Sequence, residues 1–287
     1  MRTPALPPGR EVVVPRRGTF YVRELAGPPG APTVMLLHGW TATADLNYFT
    51  CYHELAKHFR VIAFDLRGHG RGLRTQLPFR LSDCADDAAA LATELGVDRF
   101  IPVGYSMGGP VAQLVWRRHP ERVQGLVLCA TAAYFAGRRN ERVSFLGLTG
   151  LAGLARLTPP QAKSWLTQQV YLQRRTDQWE PWASEELARH DWRMVLEAGG
   201  SLGRFSSSGW IGEIDVPTAV VVTTADRVVP PRRQLRLAEG IPGARIVRVA
   251  ADHTAVVSAP HRFVPALMAA CLQVATRSSD ASRRRAG

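Results

Sequence analysis

Short, nearly unbroken apolar runs recur along the chain at residues 33–37, 61–65, 99–104, 123–130, 218–224 and 244–250, each bounded by turn-forming residues. A half-buried strand alternates apolar and polar positions, whereas continuous runs of this length predict strands covered on both faces. Between them lie stretches with helical spacing, at 48–58, 82–95, 107–118, 230–239 and 261–275. This alternation predicts an α/β fold with a mostly parallel sheet flanked by helices. Two earlier runs, 11–15 and 20–25, are joined by Arg16-Arg17-Gly18-Thr19 and read as an antiparallel hairpin at one sheet edge, giving eight strands. Asp83, Asp86 and Asp87 put negative charge in the first turn of the second predicted helix, where the helix dipole favours it.

The rhythm breaks after the fourth internal run. From 131 to 214 strand-like runs vanish, and the chain reads as helices punctuated by Pro159-Pro160 and Ser206-Ser207-Ser208-Gly209. The pattern predicts a core over 1–130, an inserted helical cap over 131–214, the rest of the core over 215–276, and a disordered basic tail over 277–287. Trp165, Trp179, Trp182, Trp192 and Trp210 fall in the cap segment. They are candidates either for the cap's own packing or for the apolar wall of a substrate pocket at a domain junction.

Composition narrows the class. The 287 residues are 46% hydrophobic, ample for one large folded domain. No apolar run approaches a membrane-spanning length, and the Pro- and Arg-rich start lacks the apolar centre of a signal peptide, so a cytoplasmic location is expected. Cys51, Cys84, Cys129 and Cys271 are too far apart for metal-binding pairs and read as structural. The formal charge of +12 raises the question of polyanion binding. The segment 131–214 nevertheless carries ten basic against eight acidic residues, and nowhere do basic and aromatic residues alternate along a helix face. Arg283-Arg284-Arg285 lies in the Ser-rich tail. A solvated, arginine-rich surface is the expected reading, with no specific nucleic-acid partner.

The chemistry concentrates at Gly104-Tyr105-Ser106-Met107-Gly108, between a predicted strand and a predicted helix. Such a sharp strand-to-helix bend exposes one hydroxyl, that of Ser106, and Gly104 and Gly108 leave room for strand and helix to pack closely. A serine hydroxyl needs an imidazole to take its proton and a carboxylate to orient the ring. Of eight histidines, His253 directly follows the last predicted strand, while His53, His58, His119, His190 and His261 fall on helices or in the cap. Asp226 likewise follows the run 218–224 and precedes a helix; Asp252, beside His253, is the alternative acid. Attack on a carbonyl builds negative charge on its oxygen, for which the backbone N–H groups of Met107 and Trp40 are the expected donors. His38 and Gly39 support that loop, His38 as a brace. Asp65 and Arg67, in Asp65-Leu66-Arg67-Gly68-His69-Gly70, read as residues that tie loops together.

His38-Gly39-Trp40, Asp65 to Gly70, Gly104 to Gly109, Asp226 and His253 together resemble the α/β-hydrolase fold superfamily over roughly residues 20–275. The order nucleophile, acid, histidine is that family's order, and a helical cap commonly enters after its sixth strand. Some members carry the acid after the preceding strand, but Cys129-Ala130-Thr131-Ala132-Ala133 has no carboxylate. A serine nucleophile separates the chain from the dehalogenases and epoxide hydrolases of the family, which use Asp. Thr41 stands where those enzymes and the perhydrolases carry Pro.

The resemblance and the site together imply a serine hydrolase for a small carboxylic ester with an apolar moiety, needing no cofactor or metal. A thioesterase or carbon–carbon bond hydrolase would use the same residues. Perhydrolysis and a non-catalytic ligand receptor are the further alternatives.

Overall fold

The computed structural model describes residues 4–137, 139–157 and 181–286. Eight strands form one sheet: β1 (Gly9–Val14), β2 (Gly18–Leu25), β3 (Thr33–Leu37), β4 (Arg60–Phe64), β5 (Ile101–Tyr105), β6 (Leu126–Cys129), β7 (Thr218–Thr223) and β8 (Arg245–Val249). Their spatial order is β1-β2-β4-β3-β5-β6-β7-β8. The first two strands form the expected hairpin, β2 pairs antiparallel with β4, and every pairing from β4 to β8 is parallel. The fold is thus α/β with a mostly parallel sheet.

The continuous apolar runs have the predicted cause. Within β3, Val34 and Leu36 pack on one face and Met35 and Leu37 on the other, and all four are fully buried. One face is covered by α3 (Leu81–Glu94), α4 (Gly108–Arg118) and, further along the chain, Pro231–Gly240. The other is covered by two short helices, α1 (Ala44–Tyr48) and α2 (Tyr52–Ala56), and by the long C-terminal helix.

The single helix expected over 48–58 is two pieces. The Tyr48 hydroxyl reaches into the sheet to the carbonyls of Leu37 and Val103, at 3.0 and 3.2 Å, and the Thr50 hydroxyl donates to the Val256 carbonyl at 2.9 Å. Those anchors turn the chain between α1 and α2.

Between β6 and β7 the named elements among the described residues are α5 (Arg139–Leu157), α6 (Pro181–Ala188), α7 (Trp192–Arg204) and a short 3-10 turn at Ile211–Glu213. After β7 come α8 (Pro231–Gly240), α9 (Ala255–Ser258) and α10 (Pro260–Ala286). The last corrects the expectation of a disordered tail from 277. Arg277 donates to the carbonyls of Thr218 and Gly243, Ser278 is buried, and the Ser279 hydroxyl donates back to Ala275 O, so the helix carries on across the sheet edge. All four cysteines are free and buried. No described helix is long and apolar enough to cross a membrane.

Candidate active site

In a parallel sheet the loops that follow the strands gather at one edge, and ligands bind there, where the strand order reverses. Here the chain moves outward from β3 to β4 on one side and to β5 on the other, and the loop after β3 faces the turn after β5. A Cβ on Gly39 would lie 3.3 Å from Ser106 Cβ.

The turn itself is tightly specified. Ser106 has φ of 51°, in the left-handed region that a residue with a side chain rarely adopts. Its backbone is pinned on both sides: its N–H donates to Cys129 O at 2.9 Å, and its carbonyl accepts from Gly109 N at 3.0 Å and Thr131 Oγ1 at 2.7 Å. A Cβ at Gly104 would collide with the Gly108 carbonyl, and one at Gly108 with the Leu37 carbonyl, so both positions are bare because backbone occupies the space.

Ser106, His253 and Asp226 come together. Ser106 Oγ lies 3.0 Å from His253 Nε2, and His253 Nδ1 lies 2.7 Å from Asp226 Oδ2. A carboxylate only accepts, so Nδ1 carries the ring hydrogen and Nε2 is left to accept from the serine hydroxyl. Ser106 and Asp226 are buried, and the His253 ring is 17% exposed.

Asp226 is held by more than the His253 ring. Oδ1 accepts from the N–H groups of Val228 and Val229, both at 2.8 Å. Oδ2 accepts from Thr223 Oγ1 at 2.8 Å and from Gln234 Nε2 at 3.1 Å. Gln234, fully buried on α8, uses every polar atom it has: Oε1 accepts from Thr223 N at 3.0 Å, and Nε2 also donates to Val229 O at 2.7 Å. The alternative acid, Asp252, turns away from the ring and accepts from the Thr254 N–H and hydroxyl, which hold it below the usual carboxylate range.

Gln234, Thr223 and Tyr105, whose hydroxyl donates to the His253 carbonyl, were not singled out from sequence. Only the spacing of Gln234, one helix turn past Pro230, could have hinted at its role.

The two expected oxyanion donors flank the serine in the chain and across the loop. Among the described residues neither the Trp40 N–H nor the Met107 N–H is given to an acceptor. His38 is the expected brace: its Nδ1–H donates to Gly39 O and its Nε2 accepts from Leu66 N, both at 2.8 Å. Full burial pushes its pKa down to about 3, and with Nδ1–H given to Gly39 O and the Nε2 lone pair taken by Leu66 N it is a weak base with no free site for a second proton transfer.

Asp65 and Arg67 also tie loops as read. Asp65 accepts from Ala44 N and Arg71 N, both at 2.8 Å, and Arg67 pairs with Asp87. Burial raises Asp65 to about 6.

The tryptophans divide. Trp165 and Trp179 lie outside the described residues. Trp210 stacks on Trp116, with ring centroids 6.2 Å apart, under the Arg117 guanidinium. Trp116 sits eight residues into α4, about 12 Å along the helix from the elbow. Trp210 therefore packs against the outer part of α4. Trp182 packs edge-on to Phe49, in the core loop between α1 and α2, whereas Trp192 packs edge-on to His190 within the cap segment.

The sequence signature of a family described as alpha/beta hydrolase fold matches residues 32–260. A protein of Agrobacterium fabrum named "Putative carbamate hydrolase RutD" is 28% identical over 234 residues, covering 75% of this chain and 83% of the relative. An esterase from Exiguobacterium antarcticum superposes with a TM-score of 0.75 at 18% identity, over 91% of this chain and 98% of its own. A thermophilic esterase from Thermogutta terrifontis superposes with a TM-score of 0.73 at 24% identity, over 93% and 99%. At these identities the two structures bear on the fold.

Proposed function

Since this chain belongs to the α/β-hydrolase fold family, we propose that it is a serine hydrolase that cleaves a small carboxylic ester with an apolar moiety through an acyl-enzyme. The observation that carries the reading is the unbroken line of hydrogen bonds from Ser106 Oγ through the His253 ring to Asp226, at 3.0 and 2.7 Å. As Ser106 Oγ attacks the ester carbonyl carbon, its proton passes to His253 Nε2, and the Asp226 carboxylate stabilises the imidazolium. The oxygen that becomes negative is received by the N–H groups of Trp40 and Met107. Collapse of the tetrahedral adduct breaks the bond to the alcohol, which takes the proton from Nε2 and departs. Water then attacks the acyl-serine carbonyl, with Nε2 again accepting the proton, and releases the acid and free Ser106.

The Agrobacterium relative's name supports a second reading, a carbamate in place of the ester. The same atoms would attack a carbamate carbonyl, so substrate choice falls to the walls of the pocket.

The test treats purified protein with a fluorophosphonate probe, p-nitrophenyl esters of graded chain length, and matched p-nitrophenyl carbamates. Turnover is expected on short to medium esters, and Ser106→Ala should lose labelling together with about 10⁴- to 10⁶-fold of the turnover. Labelling that persists in Ser106→Ala removes the assignment; turnover confined to carbamates moves it to the second reading.

A further inference from the structure

We propose that helix α7 seats the oxyanion loop by gripping the side chain of Trp40, which makes Val195 and Gly199 positioning residues for the chemistry at Ser106. The inference rests on the serine-hydrolase reading, since the Trp40 N–H matters only if an oxyanion forms there.

The geometry runs through one side chain. Trp40 contributes its backbone to the loop beside Ser106, but its indole reaches α7, where Nε1–H donates to the Val195 carbonyl at 2.7 Å. Gly199 lies one turn further along the same face. A Cβ there would stand 2.6 Å from Trp40 Cζ2, 3.1 Å from Trp40 Cε2 and 2.8 Å from Leu148 Cδ1 on α5. Glycine is disfavoured against alanine inside a helix, so what this position gains from being bare is room for the ring. The Leu148 methyl group could swing aside, whereas the rigid fused ring can yield only by breaking its bond to Val195 O, through a turn of the side chain or a shift of the backbone it hangs from.

α7 is a firm seat. Its first turn is capped by Asp191, whose side chain accepts from Met194 N at 3.2 Å and whose N–H donates to Gly68 O at 2.8 Å. Glu197 accepts from Phe79 N at 2.8 Å and from Arg193 at 3.0 Å, and Arg193 also donates to the Thr75 carbonyl. The helix is therefore bolted to the loop after β4. The oxyanion loop is held from its other side by His38 on Leu66 N and by Asn47 on Gly39 N, at 2.8 Å each. Trp40 is the third point of attachment, and it is the residue whose N–H must meet the developing charge. Misplacing a group by about 1 Å at such a site can lower the rate about 10²-fold.

The experiment compares wild type, Gly199→Ala, Trp40→Phe and the double variant on a p-nitrophenyl ester. Gly199→Ala is expected to lower kcat by about 10- to 100-fold with KM changed by less than about twofold and the Tm retained. Phenylalanine lacks both the outer ring and the N–H, so Trp40→Phe should lower kcat by itself, and adding Gly199→Ala to it should have little further effect. An unchanged kcat in folded Gly199→Ala, or the same loss in both backgrounds, overturns the inference.

A second readout needs no turnover. In ¹⁵N-tryptophan-labelled protein the indole N–H of Trp40 should be protected from exchange and lose that protection in Gly199→Ala; an unprotected indole in wild type also overturns the proposal. Failure of the hydrolase reading would show separately, as ester turnover or probe labelling that survives Ser106→Ala.

Discussion

The phenolic hydroxyl of Tyr105 donates to the backbone carbonyl of His253 at 2.7 Å, so the residue just ahead of the proposed nucleophile holds the loop that carries the proposed base. Its ring packs between His253 and Phe263, with centroids 5.9 and 5.5 Å away. Tyr105→Phe keeps that packing and removes the bond, worth about 1 kcal/mol. We expect kcat to fall by about three- to tenfold with KM little changed, as looser placement of the ring affects the reacting state most. Steady-state kinetics on a p-nitrophenyl ester would check this, and an unaltered kcat would remove Tyr105 from the positioning of His253.

Gln234 closes the far side of Asp226. Gln234→Leu has similar bulk but leaves Thr223 N without its acceptor and Asp226 Oδ2 with one donor fewer. Stranding a buried polar group costs about 1–3 kcal/mol, so denaturant unfolding should show a loss of that order together with lower kcat. Stability lost with kcat intact would reduce Gln234 to a packing residue.

Acid should weaken the fold through its buried rings. His38 is held down to about 3 from an ordinary 6.5, and His69, also fully buried, is shifted the same way by desolvation. For a group with a lowered folded-state pKa of this kind, the unfolded chain takes up the proton first. For His38 stability is then complete above pH 6.5 and is lost as pH falls toward 3, by about 1.4 kcal/mol per pH unit, and His69 acts in the same direction. Asp65 acts oppositely: raised from 3.8 to about 6, its contribution is complete below 3.8 and lost as pH rises through 6. Two rings against one carboxyl leave a net loss of stability as pH falls below 6. Urea unfolding at pH 7 and pH 5 would reveal it, and His38→Gln, which retains an acceptor for Leu66 N, should flatten the dependence. Equal midpoints at the two pH values would contradict the account.

The backbone at position 106 predicts an ordering of stability for two variants that lack the hydroxyl. Ser106→Ala retains a side chain at φ of 51°, whereas Ser106→Gly relieves it. The left-handed penalty of about 1–2 kcal/mol exceeds glycine's extra entropy in the unfolded chain, for a net gain of about 1 kcal/mol. Calorimetry should put Ser106→Gly about 2 °C above Ser106→Ala.

Much of this architecture can be read from the chain because each element obeys a local rule. Residues 33–37 are apolar at every position since both faces of β3 are covered, and Ser106, Asp226 and His253 each stand just past the end of such a run. What escaped the reading depends on contacts distant in sequence. The break between α1 and α2 is made by Thr50 reaching Val256, 206 residues away. The extension of α10 past 277 is held by Arg277 at carbonyls of β7 and of the turn before β8, although its Ser- and Arg-rich composition suggested solvent. Trp210 belongs to α4 because Trp116 offers a ring to stack on, and nothing in a cap-wide count of tryptophans reveals which partner each will find.

The strands on either side of the longest interruption of the sheet, β6 and β7, lie side by side in register, with Leu126 opposite Thr218. The chain thus leaves the sheet and returns to it through one doorway, and lengthening or exchanging what lies outside need not disturb the three loops that carry Ser106, Asp226 and His253. That makes the excursion the natural substrate for evolution or recombination toward new specificities. The hydrogen bond from the Trp40 indole to Val195 crosses from the core into that segment, so a graft that lacks an acceptor there would strand a partly buried donor on the loop beside Ser106.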